Sequence, residues 1–242
     1  MIKVEVCINC DSNQSVHESV GAAYKGGASS VELCANMEED GLTPKKEDII
    51  KAREAFKDRT GLMVMIRSRS GNFDYTIEEI KLMEMQILNA AEAGADGIVF
   101  GVVKNEVVDL ASLKILISAA KENNLKVTFH RAFDSVSNRF KTLELLINNG
   151  VDRILTSGTD WQENKTAIQG ITLLNQIIEL ANSNIEIVIG GGINIHNVNK
   201  ILDQIQRLNN NISIHSYSGV QKNGFTKFEL VKSLVKKVEK YN

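Results

Sequence analysis

A cluster of ionisable side chains follows the apolar run Val127–Phe129. His130, Arg131 and Asp134 close the stretch KVTFHRAFD within five residues. The run is rich in β-branched and aromatic residues and lies between two segments of helical periodicity, which predicts a buried parallel strand. Because ligands bind beyond the C-terminal ends of parallel strands in α/β folds, this stretch is a candidate site. The alternative is an N-terminal cap and surface ion pair for the next helix.

These residue types suit an enzyme that acts on a small anionic molecule. Arg67 could bind a carboxylate or phosphate, and His130 could serve as general acid or base. Asp134 is the expected orienting carboxylate for His130, and Glu32 is a further candidate catalytic group. One hypothesis is therefore a lyase, isomerase or hydrolase acting on a small phosphorylated or carboxylated molecule.

A glycine triplet adds possible anion donors. It follows the seventh predicted strand and precedes Asn194, so its backbone amides could cradle a phosphate; a tight turn is the alternative. Loops at one end of the predicted fold gather these donors, which should attract negative charge. The expected anion-binding residues are Arg67, Arg131, Ser157, Gly158, Gly190, Gly191 and Gly192.

Two cysteines end neighbouring predicted strands with the same parity. The sulfur atoms of Cys7 and Cys34 can therefore approach each other across adjacent strands. A pair of thiolates is a soft site that favours Cu(I), whereas Zn²⁺ would require further ligands. Packing of the two thiols as small hydrophobic side chains is the alternative. Cys10 completes a C-x-x-C spacing with Cys7, which is a weak indication of a redox pair.

The elements that would position these residues repeat eight times. Each apolar strand-like run is followed by a segment of helical periodicity, such as Glu78–Ala93. Eight units in 242 residues give about 30 residues per unit, the size of one unit of a (β/α)₈ barrel. We therefore predict an α/β fold, a single TIM barrel spanning residues 1–242. The predicted strands are Ile2–Cys7, Ser30–Cys34, Leu62–Ile66, Gly97–Phe100, Val127–Phe129, Arg153–Thr156, Ile185–Ile189 and Ile212–His215.

Alternation within the strands predicts which side chains face the barrel interior. The uniformly apolar face of each strand should meet the helices, so the polar face points inward. Burial of polar groups is costly unless they pair with each other or with a ligand. A purely internal ion-pair network of Glu5, Glu32 and Arg67 is the structural alternative. The predicted interior residues are Glu5, Cys7, Glu32, Cys34, Arg67 and His130.

Composition excludes several classes of function. The formal net charge is -2 with lysine and arginine spread along the chain, so we expect no nucleic-acid partner. The sequence shows neither a signal-peptide pattern nor an apolar run long enough to span a bilayer, which predicts a cytoplasmic protein without a membrane partner. Three cysteines in a chain of this size indicate reduced thiols. We also expect a homo-oligomer.

The motifs together resemble those of the CutC family, often called copper homeostasis proteins. The similarity spans residues 4 to 193 in order. The resemblance implies a TIM barrel, a link to cytoplasmic copper handling, and copper ligands at Cys7 and Cys34. The expected bound species is then a copper ion, as Cu(I), or a small anionic ligand. The matching segments are VEVC (4–7), VELC (31–34), GLTP (41–44), MIRSR (65–69), ADGIVFG (95–101), TFHRAFD (128–134), VDRILTSG (151–158) and GGGI (190–193).

Overall fold

Eight parallel strands close into a barrel in the computed structural model, which describes residues 1–163, 165–206 and 211–242. Each strand pairs with the next along the chain, and the last pairs with the first, which confirms the predicted TIM barrel. The barrel strands are β1 (Lys3–Asn9), β2 (Ser30–Cys34), β3 (Leu62–Met65), β4 (Gly97–Phe100), β5 (Lys126–Phe129), β6 (Arg153–Thr156), β7 (Glu186–Ile189) and β8 (Ile212–Ser216).

A helix follows each strand and covers the outside of the barrel. Side-chain caps fix several helix starts: Ser15 and Glu18 form a capping box at α1, and Thr76 and Glu79 form another at α3. Gly27 ends α1 in the left-handed conformation, φ 89°, which glycine adopts without steric cost. The helices are α1 (Val16–Gly26), α2 (Lys46–Phe56), α3 (Ile77–Glu92), α4 (Leu110–Glu122), α5 (Arg139–Asn148), α6 (Ile171–Ala181), α7 (Val198–Leu202) and α8 (Phe228–Glu239).

The apolar core lies between the strands and the helices. One alternating face of each strand, such as Val4 and Val6 in β1, belongs to this core together with buried helix residues such as Met83. The opposite face points into the barrel and carries the polar residues. The alternation predicted from the sequence therefore sorts the two faces correctly.

Two short hairpins, which the strand count did not include, extend the loops after β4 and β8. The first pairs Val103–Lys104 with Val107–Val108, and the second pairs Gln221–Lys222 with Phe225–Thr226. The second turns at an Asn-Gly pair with positive φ at both residues, the usual signal for a two-residue hairpin loop. Within the described part of the chain, no helix is long and apolar enough to cross a membrane.

Candidate functional site

The sulfur atoms of Cys7 and Cys34 lie 3.9 Å apart inside the barrel mouth. Cys7 is in β1, Cys34 ends β2, and both side chains are buried. The strand register places Glu32, two residues before Cys34, directly opposite Cys7. The two sulfurs are therefore diagonal neighbours on the interior face, which is the approach that their shared parity predicts.

Methionine side chains and one glutamate surround this thiol pair. Met63 and Met65 from β3 pack with both cysteines in one buried cluster, and Met37 packs against it. The Glu32 carboxylate is 3.7 Å from the Cys34 sulfur. One ligand atom from each of Cys7, Glu32 and Cys34 lies within 4.8 Å of the other two, a spacing that could hold a metal ion.

His215, which is not among the predicted site residues, completes the interior cluster from β8. Its Nδ1 atom lies 3.1 Å from Glu5, and its Nε2 atom lies 3.7 Å from Glu32. These three residues form a second group whose ligand atoms are close enough for a metal ion. Alternation along β8 could have identified His215, because it shares the interior face with Ser213.

The environment separates the pKa values of the two thiols. A hydrogen bond from the Cys34 thiol lowers the pKa of Cys7 to about 6. Burial acts in the opposite direction, and His215 adds to the lowering. The same hydrogen bond and burial raise the pKa of Cys34 well above its usual value. Burial also raises the pKa of Glu32 to about 8. At neutral pH the pair therefore holds one thiolate beside one thiol, and Glu32 carries a proton.

Arg153, at the start of β6, forms ion pairs with two glutamates inside the barrel. Its Nη2 atom donates to Glu5 at 2.8 Å, and its Nε atom is 3.3 Å from Glu186. Burial alone would raise the pKa of Glu5, but Arg153 and His215 together hold it far below its usual value. The alternative in which Glu5 and Glu32 pair with Arg67 is wrong, because Arg153 occupies that position.

Arg67 instead ties two loops together at the rim. Its Nη1 atom donates to the carbonyl oxygens of Glu39 and Gly41, and its Nη2 atom donates to that of Gly71. The side chain is buried, and only Nε has no hydrogen-bond partner in the described protein. Arg67 therefore lines the mouth mainly as a structural link between the loops after β2 and β3, and its anion-binding role stays a prediction.

His130 lies directly after β5 and is also buried. Its Nδ1 atom accepts a hydrogen bond from the Ala132 backbone N–H, so the proton of the neutral ring is on Nε2. Nε2 has no hydrogen-bond partner among the described residues. Burial, with a contribution from the Arg67 charge, lowers the pKa of His130 to about 3. The ring is therefore neutral at pH 7 and acts as a hydrogen-bond donor.

Asp134 does not orient His130. Its carboxylate accepts hydrogen bonds from Arg131, Thr156 and Ser157. It makes no hydrogen bond with His130, whose Nδ1 accepts from a backbone N–H and whose Nε2 has no hydrogen-bond partner among the described residues. Asp134 is completely buried, and its contacts join the loops after β5 and β6. The prediction of a His130 and Asp134 pair is therefore wrong; Asp134 holds Arg131 in place.

The predicted anion donors divide into two sets. The Ser157 amide donates to Asp134, and the Gly158 amide donates to the Thr156 hydroxyl, so both are used within the protein. The glycines at 190, 191 and 192 and the side chain of Arg131 instead line a cavity of about 220 Å³. The structure thus brings Arg131 and the glycine triplet together around one cavity. Ser157 and Gly158 do not line that cavity.

A larger cavity of about 280 Å³ opens onto the thiol pair. Cys7, Cys34 and Glu32 line its inner end, and Phe73, Trp161 and Tyr217 form aromatic walls. It shares four lining residues with the smaller cavity, so the two adjoin at the barrel mouth. The shared residues are Arg131, Leu155, His215 and Tyr217.

Cys10 stays outside this cluster. Its side chain is partly buried and packs against the main apolar core, not in the cluster that holds the other two sulfurs. Burial raises the pKa of its thiol far above the usual value, so it is protonated at neutral pH. The geometry therefore gives Cys10 no part in the site of Cys7 and Cys34.

The chain is similar to proteins that carry the CutC name. Residues 2–216 match the CutC family. A CutC family protein of Bacteroides fragilis is 41% identical over 95% of this chain and 81% of its own length. The human copper homeostasis protein cutC homolog is 36% identical over 83% of this chain and 68% of its own length.

Solved structures agree with these sequence matches. The crystal structure of CutC from Streptococcus agalactiae superposes with a TM-score of 0.78 at 29% identity, covering 90% of this chain and 99% of that one. A phosphoribosylanthranilate isomerase from Pyrococcus furiosus shares the fold, with a TM-score of 0.63 at 16% identity over 99% of this chain and 100% of that one. On the extent of the family match and the identity of its relatives, the chain belongs to the CutC family.

Proposed function

We propose that the protein binds Cu(I) through Cys7 and Cys34 and serves in copper homeostasis. The observation that carries the proposal is the 3.9 Å separation of the two buried sulfur atoms. Thiolates are the soft ligands that favour Cu(I). The name of the human relative, a copper homeostasis protein, supports the same ion as cargo.

The separation of the sulfurs suits an ion bound between them. With each metal–sulfur bond close to about 2.3 Å, as in metal thiolates, sulfurs 3.9 Å apart subtend an angle of about 115–120° at the ion. That angle is near trigonal and leaves room for a third ligand. The thioether sulfurs of Met37 and Met65, which line the cavity with both cysteines, are soft candidates.

The charged groups behind the pair support loading at neutral pH. The lowered pKa of Cys7 provides one thiolate before the metal arrives, and Cu(I) would displace the proton of Cys34. Glu5 holds the His215 ring through Nδ1, and His215 helps to lower the pKa of Cys7. We place this activity in the reducing cytoplasm, since the free thiols and Cu(I) both require a reducing compartment.

Competition of the reduced protein against a Cu(I) chelator tests the proposal. The wild type should take one Cu(I) per chain, and the Cys7→Ser, Cys34→Ser double variant should take none. Cys10→Ser is the matched control, because it removes a thiol outside the cluster and should bind like the wild type. Equal affinity of the wild type and the double variant would overturn the thiolate site.

A parallel titration with Zn²⁺ tests the identity of the metal. Cys7, Cys34 and Glu32 form one group of possible ligands, and His215, 3.7 Å from Glu32, could add the fourth ligand that zinc prefers. We expect Cu(I) to bind without Glu32 and His215, so Glu32→Gln should retain Cu(I). If the wild type binds Zn²⁺ more tightly than Cu(I), and Glu32→Gln abolishes zinc binding, the metal of this site is zinc and not copper.

An enzyme of the barrel mouth is the second candidate function. The observation in its favour is the buried, unpartnered Nε2 atom of His130, which lines the cavity above the thiols. With its low pKa, His130 would polarise a substrate oxygen as a neutral donor rather than remove a proton as a base. Turnover of a small phosphorylated or carboxylated molecule that His130→Asn abolishes would establish this activity.

A further inference from the structure

We propose that the barrel mouth binds a phosphorylated small organic molecule across its two adjoining cavities. The phosphate would occupy the smaller cavity, between the loops after β7 and β8. The organic part would extend into the larger cavity above the thiol pair. This site is separate from copper binding and does not depend on it.

Free backbone amides line the phosphate end. The N–H groups of Gly191, Gly192 and Ile193 have no acceptor in the described part of the protein. Gly191 and Gly192 have φ values of 101° and 73°, a conformation that favours glycine. Three successive amides without acceptors, beside a cavity that they line, indicate that a ligand accepts from them.

Arg131 supplies the charge. Its Nε donates to Asp134 and its Nη2 donates to the Ser157 hydroxyl, which leaves Nη1 without a hydrogen-bond partner among the described residues. The guanidinium also lies over the Trp161 ring, 5.0 Å from its centroid. Asp134 is fully buried behind the arginine, so a ligand in the cavity meets the guanidinium and not the carboxylate. Arginine held in this way is suited to phosphate recognition.

The distribution of carboxylates decides which cavity takes the phosphate. Asp40 lines the larger cavity, whereas no aspartate or glutamate is among the described residues that line the smaller one. A doubly charged phosphate would be repelled by Asp40 in the larger cavity and would meet Arg131 and backbone amides in the smaller one. The larger cavity, with Phe73 and Trp161 in edge contact at 5.5 Å, suits the less polar part of the ligand.

The two loops are held in position without a ligand. The Ser216 hydroxyl donates to the Ile193 carbonyl oxygen at 2.7 Å, and a Cβ on Gly219 would lie 2.1 Å from that same oxygen. This close contact joins the loop after β7 to the loop after β8. The site is therefore built before binding, which reduces the entropy lost when the ligand binds.

His130 extends the site toward the thiols. Its Nε2–H is buried and unpartnered, and the ring lies 5.0 Å from Phe73 at the wall of the larger cavity. A hydroxyl or carbonyl oxygen on the organic part could accept from this donor. We therefore expect a phosphate ester to bind more tightly than inorganic phosphate, because only the ester reaches both ends.

Amide NMR titration of the full chain tests the proposal. The probes are inorganic phosphate, glycerol 3-phosphate and ribose 5-phosphate. The expected result is shifts of the amide signals at 191–193 and 218, with tighter binding of at least one ester. Absence of shifts at these amides at about 20 mM of every probe, which excludes affinities better than millimolar, would overturn the proposal.

A matched pair of variants at the exposed residue Ser218 tests the position of the phosphate. Ser218→Asp adds a negative charge at the proposed phosphate position, whereas Ser218→Asn has nearly the same shape without the charge. The aspartate variant should bind the esters at least about tenfold more weakly, and the asparagine variant should stay within about threefold of the wild type. Equal affinities of the two variants would place the phosphate elsewhere and overturn the proposal.

Copper binding provides a separate readout. Ser218→Asp should retain Cu(I) in the chelator competition, which shows that its barrel is intact. The Cys7→Ser, Cys34→Ser double variant should retain ester binding. Loss of ester binding in that double variant, with its fold intact, would contradict the independence of the two sites.

Discussion

The Nδ1 atom of His130 accepts a hydrogen bond from the backbone N–H of Ala132 at 3.0 Å. This contact fixes the tautomer, because an amide donor requires an unprotonated nitrogen on the ring. It also leaves Nε2–H as the only donor that the ring can offer to the cavity. In its neutral form, His130 can therefore offer the barrel mouth one hydrogen-bond donor, Nε2–H.

Protonation of His130 should make the protein less stable in acid. Its pKa is about 3 in the folded state and near 6.5 when unfolded, so between these values only the unfolded chain takes up the proton. Stability should therefore fall as pH drops from 6.5 toward 3, by up to about 1.4 kcal/mol per pH unit from this group.

Denaturant unfolding across that pH range measures this effect. His130→Asn should flatten the pH dependence relative to the wild type, since asparagine does not titrate. His196→Asn, which removes an exposed histidine, is the matched control and should follow the wild-type curve. Parallel curves for wild type and His130→Asn would contradict the low pKa.

The hydrogen bond between the two thiols should control the acidity of Cys7. Cys34→Ala removes the donor that lowers the Cys7 pKa to about 6, so that pKa should rise toward the ordinary thiol value. Cys34→Ser keeps a hydroxyl donor and should raise it less. Thiolate absorbance in the ultraviolet, followed against pH in the metal-free protein, measures the change. An unchanged titration in Cys34→Ala would show that Cys34 does not stabilise the thiolate.

Replacement of Arg153 should lower the free energy of unfolding strongly, because this residue pairs with a buried carboxylate. Arg153→Met leaves the buried carboxylate of Glu5 without its main partner, which should destabilise the fold by about 3–5 kcal/mol. The double variant with Glu5→Gln removes both charges and should recover part of that loss. Denaturant unfolding of the two variants gives the comparison. A double variant no more stable than Arg153→Met would show that the loss comes from packing instead.

The repeat of eight strand–helix units predicted the barrel, and alternation along the strands predicted the approach of the thiols. Alternation along a strand is a local property, and it places Cys7 and Cys34 on the same interior face whatever the other strands do. The choice of arginine partner for Glu5 is not local. It depends on depth in the barrel: Arg153 begins its strand, whereas Arg67 follows the end of β3 and reaches only the rim.

The role of Asp134 was unpredictable for a similar reason. Spacing alone allows a carboxylate four residues after His130 to reach the ring. The chain instead forms a short 3₁₀ turn over Arg131–Ser135, and His130 caps that turn with its own side chain. Asp134 then points at Thr156 and Ser157 on the neighbouring strand end. The matching family motifs end at Ile193, so the resemblance did not assign His215 of β8 to the site.

The close contact between Gly219 and Ile193 should make Gly219 intolerant of a side chain. An added Cβ would lie 2.1 Å from the Ile193 carbonyl oxygen, so Gly219→Ala must push the loops after β7 and β8 apart. Overpacking of this kind costs about 1–3 kcal/mol. Gly21→Ala is the matched control, because Gly21 lies within α1 with open space around its Cβ position and alanine should stabilise the helix by up to about 1 kcal/mol. Thermal unfolding of the two variants should give shifts of opposite sign, and a Gly219→Ala variant as stable as the wild type would show that the two loops move apart without cost.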